Sequence, residues 1–145
     1  MAKRKNRELL KRRESGAYLA VPHAMLRSHT RSTLSPKACK LLLDMWSQFN
    51  SYNNGDICIT WKLMKARNWR SKDTLNKARK ELLDKGFIET SRYGGLNRAS
   101  LYALTSWAVD ECQGKLSIRS TNTPKSLWKK HEPEEKEKMP ERFID

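Results

Sequence analysis

Between Ser71 and Gly86 the sequence is written as an amphipathic helix with a defined start and stop. Leu75, Ala78, Leu82 and Leu83 recur at spacings of three and four residues, which stacks them on one face of a helix. The hydroxyl of Ser71 is suited to accept from a free N–H of the first turn. Gly86 enters the left-handed conformation after the last turn without a Cβ penalty. The opposite face carries Lys72, Asn76, Lys77 and Lys80. A helix held by one apolar face and covered with donors on the other constrains everything around it, because the rest of the chain must supply the surface it packs on.

The flanking segments supply that surface. Ser35-Pro36 predicts a helix start, with serine as cap and proline in the first turn. That helix continues through Cys39, Leu42, Leu43, Trp46 and Phe49, widened by Leu41 and Met45, and ends before the turn-rich Asn53-Asn54-Gly55-Asp56. Ile57-Cys58-Ile59 predicts a short strand, and Thr60 caps a short helix beginning at Trp61. After Gly86, a strand over 87–92 turns through Tyr93-Gly94-Gly95-Leu96-Asn97 and returns over 99–104. The short apolar stretch 17–21 stops at Pro22, which opens a helix over 23–28. This order predicts an α+β fold, a winged helix-turn-helix with three core helices and a two- to three-stranded wing sheet. The expected divisions are a basic flexible arm at 1–15, the winged domain at 16–112, an extended segment docking on it at 113–130, and a disordered charged tail at 131–145. Trp128, alone in a polar stretch, is expected to dock on the domain.

Charge indicates the partner. The chain of 145 residues has a formal net charge of +14, which favours a polyanion. Lys3, Arg4, Lys5, Arg7, Lys11, Arg12 and Arg13 stand against Glu8 and Glu14 in the first fourteen residues, a net of +5, whereas 111–145 amounts to +1. The polyanion is therefore expected at the arm and the central domain. Cys39, Cys58 and Cys112 are far apart, and His23, His29 and His131 do not cluster with them, so neither a disulfide framework nor a metal site is expected. There is no membrane-length apolar run and no signal-peptide pattern. A reducing bacterial cytoplasm fits. A phosphate-cradling glycine loop, a nucleophile elbow and a paired carboxylate set are all missing, so no enzymatic role and no cofactor are expected.

The residues expected to bind follow from helix geometry. Ser71 caps the helix that would enter the major groove. Lys72, Asn76, Lys77 and Lys80 face outward, with Asn76 able to read adenine, Lys72 or Lys77 guanine, and Thr74 a thymine methyl or a phosphate. Lys62, Lys65, Arg67 and Arg70 on the preceding helix and turn are phosphate candidates, as are Arg4 and Arg12 of the arm. Arg92 and Arg98 flank the Gly-Gly turn, where they would grip phosphates or enter a narrow minor groove. The plainer alternative for the outward face is a solvated charged surface. Tyr93, Trp61 and Trp69 have packing as their commoner use, and Asn97 has turn shaping.

With those residues in view, 18–105 resembles the winged-helix domains at the N-terminus of phage and plasmid replication-initiation proteins. The marks are Val21-Pro22, Leu34-Ser35, Leu41-Leu42-Leu43, Thr74-Leu75, Lys77-Ala78, Leu82, Lys85-Gly86-Phe87-Ile88, Gly94-Gly95 and Tyr102-Ala103-Leu104-Thr105. The last of these, with Val109-Asp110-Glu111-Cys112, Gly114-Lys115-Leu116, Thr123-Pro124 and Trp128, also looks like a group of bacterial and phage-borne helix-turn-helix proteins without a known activity. The resemblance implies sequence-specific binding of double-stranded DNA, in transcriptional regulation or replication control of a phage, plasmid or other mobile element. It leaves open a homodimer and a replication or host protein as further partners. The alternative class is a protein-interaction module on the same scaffold, with the arm or Trp128 as anchor. RNA binding is disfavoured, because the aromatics lack the strand alternation of a base-stacking sheet.

Overall fold

In the computed structural model, which describes residues 7–9 and 11–134, three serines start three helices. Ser28, Ser35 and Ser71 each hold an extended backbone and accept, through the hydroxyl, from the N–H three residues on. That bond satisfies one of the donors that every helix leaves unpaired in its first turn. The helices are α1 (His23–Leu26), α2 (His29–Ser32), α3 (Pro36–Gln48), α4 (Trp61–Ala66) and α5 (Lys72–Asp84), followed by β1 (Ile88–Arg92) and β2 (Leu101–Leu104). Residues 7–9 and 11 are also helical. The expected helix over 23–28 is shorter and is followed by α2, because Ser28 caps a new turn.

The core lies between α3 and α5. Leu41, Leu42 and Met45 of α3 are buried with Leu75, Ala78 and Leu82 of α5, and Met25 and Met64 close the ends. A buried leucine of this kind is worth about 1.5–3 kcal/mol. The two helices are also tied by charge. The carboxylate of Glu81 on α5 accepts from the Ser35 N–H at 2.7 Å, which places an anion at the positive end of α3.

The sheet has two strands. β1 pairs antiparallel with β2, Ile88 opposite Leu104 and Thr90 opposite Tyr102, with a bulge before Arg92. The strand expected over 57–59 shrinks to one bridge, in which Ile57 and Tyr102 exchange N–H···O bonds of 2.9 and 3.3 Å. On the edge turned away from β2, the Gln48 side-chain amide donates to the Cys58 carbonyl at 2.7 Å and accepts from the Cys58 N–H at 3.0 Å. A third strand of the sheet is not formed among the described residues, and the fold is a mixed α+β arrangement of helices with a two-stranded antiparallel hairpin.

Two long-range devices close the molecule. Buried Asn54 donates to the carbonyls of Leu104, Trp107 and Ala108 and accepts from the Leu104 N–H at 2.7 Å, joining the α3–α4 loop to the end of β2. The C-terminal segment then lies across the domain as a strap. Trp128 is 5% exposed and stacks on Phe87 with ring centres 6.3 Å apart. The docking expected of Trp128 is what the structure has, and the strap continues past the expected limit at 130. Glu132 accepts from the Thr30 N–H at 2.8 Å and from the Thr30 hydroxyl at 2.6 Å, so it belongs to the docked segment and not to a disordered tail. Residues 135–145 of that expected tail lie outside the described residues. Gly86 has φ +81, and a Cβ there would sit 2.6 Å from the Leu127 carbonyl carbon, so the strap requires glycine as much as the helix end does.

Candidate nucleic-acid interface

The exposed face of α5 is built by its own spacing. Leu75, Ala78 and Leu82 are drawn into the core, so Lys72, Asn76, Lys77 and Lys80 are left exposed on the other side. Ser71 performs the capping expected of it, accepting from the Thr74 N–H at 3.3 Å, and Thr74 is half-buried beside it. The Lys72 ammonium stands 5.9 Å from the centre of the Trp61 ring. Lys77 pairs with Asp73 at 3.0 Å along the helix, both groups largely exposed. Such a surface pair contributes only about 0.3–0.5 kcal/mol, so Lys77 exchanges it readily for another anion.

Asn76 does not stand alone. Its Oδ1 accepts from Arg79 Nε at 3.1 Å and from a terminal Arg79 nitrogen at 2.6 Å. Because both partners are N–H donors, the amide atom between them must be the oxygen. The adenine contact expected of Asn76 needs that oxygen to accept from the base. In this arrangement only the Asn76 NH2 is left facing outward. Arg79 was missing from the sequence-based set because it borders the apolar stripe; the three-residue spacing from Asn76 was its available signal.

The hairpin separates the two arginines expected at its tip. Arg92 folds back, donating to the Ala99 carbonyl at 2.9 Å, and its Nε is buried without a hydrogen-bond partner among the described residues. It staples the strands at the bulge and is not a tip residue. Arg98 is exposed, and its backbone closes the turn with Gly95 through bonds of 2.9 and 3.1 Å. Asn97 has φ +56 and shapes that turn. Leu96, at 96% exposure, and Tyr93, at 77%, flank it. An open cleft of about 470 Å³ separates hairpin from helix, lined by Thr60, Trp61, Lys72, Asn76, Arg79 and Ser100.

Lys62, Lys65, Arg67 and Arg70 are all exposed on α4 and the turn after it. That turn is held from behind: Lys40 donates to the Arg67 carbonyl at 2.7 Å, and buried Trp69 donates its indole N–H to Asp44 at 2.7 Å. Trp69 is thus a packing residue, and Trp61 is half-buried at the cleft. Of the arm, Arg12 is exposed, Arg13 lies 3.9 Å from the Tyr18 ring centre, and Arg4 lies outside the described residues. Trp128, the anchor considered for a protein partner, is buried against Phe87 and unavailable for that use.

Among the described residues, His, Cys, Asp and Glu form no group of three able to hold a metal ion, and no helix is long and apolar enough to cross a membrane. The Cys112 thiol is pushed above its ordinary value by burial and then by the carboxylates of Asp56 and Asp110, which keeps it protonated. No protein-family model matches the chain, and no curated protein or solved structure matches it.

Proposed function

We propose that this protein binds double-stranded DNA as a winged helix, with α5 in the major groove and the β1–β2 hairpin as its wing. The observation that carries the reading is the exposed face of α5, where Lys72, Asn76, Lys77 and Lys80 stand opposite the buried Leu75, Ala78 and Leu82. A helix about 10–12 Å across fits a major groove about 12 Å wide. Lys62 on α4, Arg70 in the turn before α5 and Arg98 on the hairpin are exposed as well, and would meet phosphates. The biological setting we propose is transcriptional regulation or replication control of a mobile element in the bacterial cytoplasm, in keeping with the resemblance of 18–105 to replication-initiation domains.

The test is fluorescence anisotropy with a random-sequence duplex across a series of salt concentrations. Each phosphate neutralised contributes about 0.9 to the log–log slope, so a slope steeper than about −4 is expected. A slope near zero, or equal binding to an uncharged backbone analogue, refutes DNA binding. One observation favours a second reading. The hairpin tip presents Leu96 and Tyr93 to solvent, which suits docking of a protein partner on the same scaffold. In that case the interface is apolar and the salt slope is flat.

A further inference from the structure

We infer that Asn76 and Arg79 form one guanine-reading unit, in which Arg79 makes the base contact and Asn76 fixes its orientation. The inference rests on the DNA-binding reading above and specifies what α5 recognises. A guanidinium offers five N–H donors in a rigid planar fork. Its side edge, formed by Nε and one terminal nitrogen, is occupied by Asn76 Oδ1 at 3.1 and 2.6 Å. The remaining bidentate edge is the end-on pair of terminal N–H groups. Two parallel donors on that edge match the O6 and N7 acceptors of guanine. Adenine offers a donor at N6 where guanine offers O6, so it repels one of the two N–H groups.

The position supports the chemistry. Both hydrogen bonds are on the exposed side of α5, and both residues border the open cleft between helix and hairpin. Arg79 is half-buried and Asn76 exposed, and the bonds that join the guanidinium to Asn76 are themselves exposed, so the head is held at the surface and not folded into the core. An arginine already fixed by a neighbour loses less rotamer freedom when it meets a base. Asn76, its carbonyl occupied, keeps only its NH2, which donates to an acceptor and cannot take the adenine pairing.

The experiment is selection of bound duplexes from a random pool by the full chain, followed by 7-deazaguanine replacement at the position under test. A guanine is expected at one position of the consensus. Arg79→Ala and Arg79→Lys lose it, since lysine keeps the charge but not the fork. Removing N7 from that guanine weakens wild-type binding by roughly 5- to 150-fold and does not weaken Arg79→Ala further. Asn76→Ala relaxes the guanine preference, whereas Asn76→Asp retains it at lower overall affinity, because the acceptor oxygen is kept. The wild-type loss on 7-deazaguanine is read on unaltered protein, so the contact to N7 is tested whether or not the variants fold. A consensus with adenine at the position lost in Arg79→Ala overturns the inference. So does a uniform loss of affinity on all sequences, which makes Arg79 a phosphate contact. If no duplex is bound at any salt concentration, the DNA-binding reading fails and this inference with it.

Discussion

The α5–hairpin side and the strap side of this molecule treat polar groups in opposite ways. Under the strap, folding uses them. Thr105 donates its hydroxyl to the Gly86 carbonyl at 2.6 Å, Ser126 donates to the Thr105 carbonyl at 2.8 Å, Lys125 meets Glu89 at 3.1 Å, and Glu132 caps α2 through Thr30. On the α5 side, Lys62, Arg70, Lys80 and Arg98 make no side-chain hydrogen bond or ion pair among the described residues. Charges that folding does not need remain available to a partner, and removing them costs the fold little. The two sides should therefore respond to mutation in different measurements, one in stability and the other in binding.

The largest expected effect is on the strap. Trp128→Ala should lower stability by about 3 kcal/mol, at the low end for a buried tryptophan, because its indole N–H is buried without a partner among the described residues. Thermal unfolding measures the loss, and the salt slope of DNA binding should not move. If the slope falls with stability intact, the division between the two sides is false.

Glu132 gives a smaller effect with a defined pH dependence. Burial alone would raise its carboxyl, but hydrogen bonds from the Thr30 hydroxyl, the Thr30 N–H and the His29 N–H, with the field of His29, hold it below the ordinary 4.5. A depressed folded value means that its contribution is fully present above about pH 4.5 and is lost as pH falls through the folded value. Glu132→Gln should cost about 1 kcal/mol at neutral pH, and its melting temperature should converge on wild type below pH 4.5. A gap that stays constant down to pH 3 would show that the carboxylate charge contributes nothing. Truncation after His131 should destabilise for the same reason, because it removes Glu132 from Thr30.

On the other side, Lys77→Ala should change stability by less than about 0.5 kcal/mol, since only the exposed pair with Asp73 is lost. It should reduce the salt slope by about 1. Deleting residues 1–13 should weaken binding to every duplex alike and lower the slope by about 2–4 with little change in melting temperature. Arg98→Ala is expected to lose more affinity on A-tract flanks than on GC-rich ones, because the narrow minor groove has the stronger negative potential. Equal losses on both flanks would make Arg98 an ordinary phosphate contact and sharpen the picture of the tip.

Spacing along the chain determined the local structure. The three- and four-residue periods put Leu75, Ala78 and Leu82 on one side of α5 and Lys72, Asn76, Lys77 and Lys80 on the other. Ser35, Ser71 and Gly86 marked where helices begin and end, and each acts as its chemistry dictates. These features depend on neighbours within about one helical turn, so no distant partner was needed to read them. Only tertiary packing decided the rest. It turned Arg92 back onto Ala99, gave the main chain of Cys58 to Gln48, placed Asn54 at the end of β2 fifty residues away, and brought Glu132 to Thr30. It also gave Gly86 a second role, as the point where the strap backbone passes too close for a Cβ. Such pairings join groups whose separation in sequence carries no period. Which one forms depends on the packed core holding both ends in place, because only there does an unpaired polar group become costly enough to choose its partner.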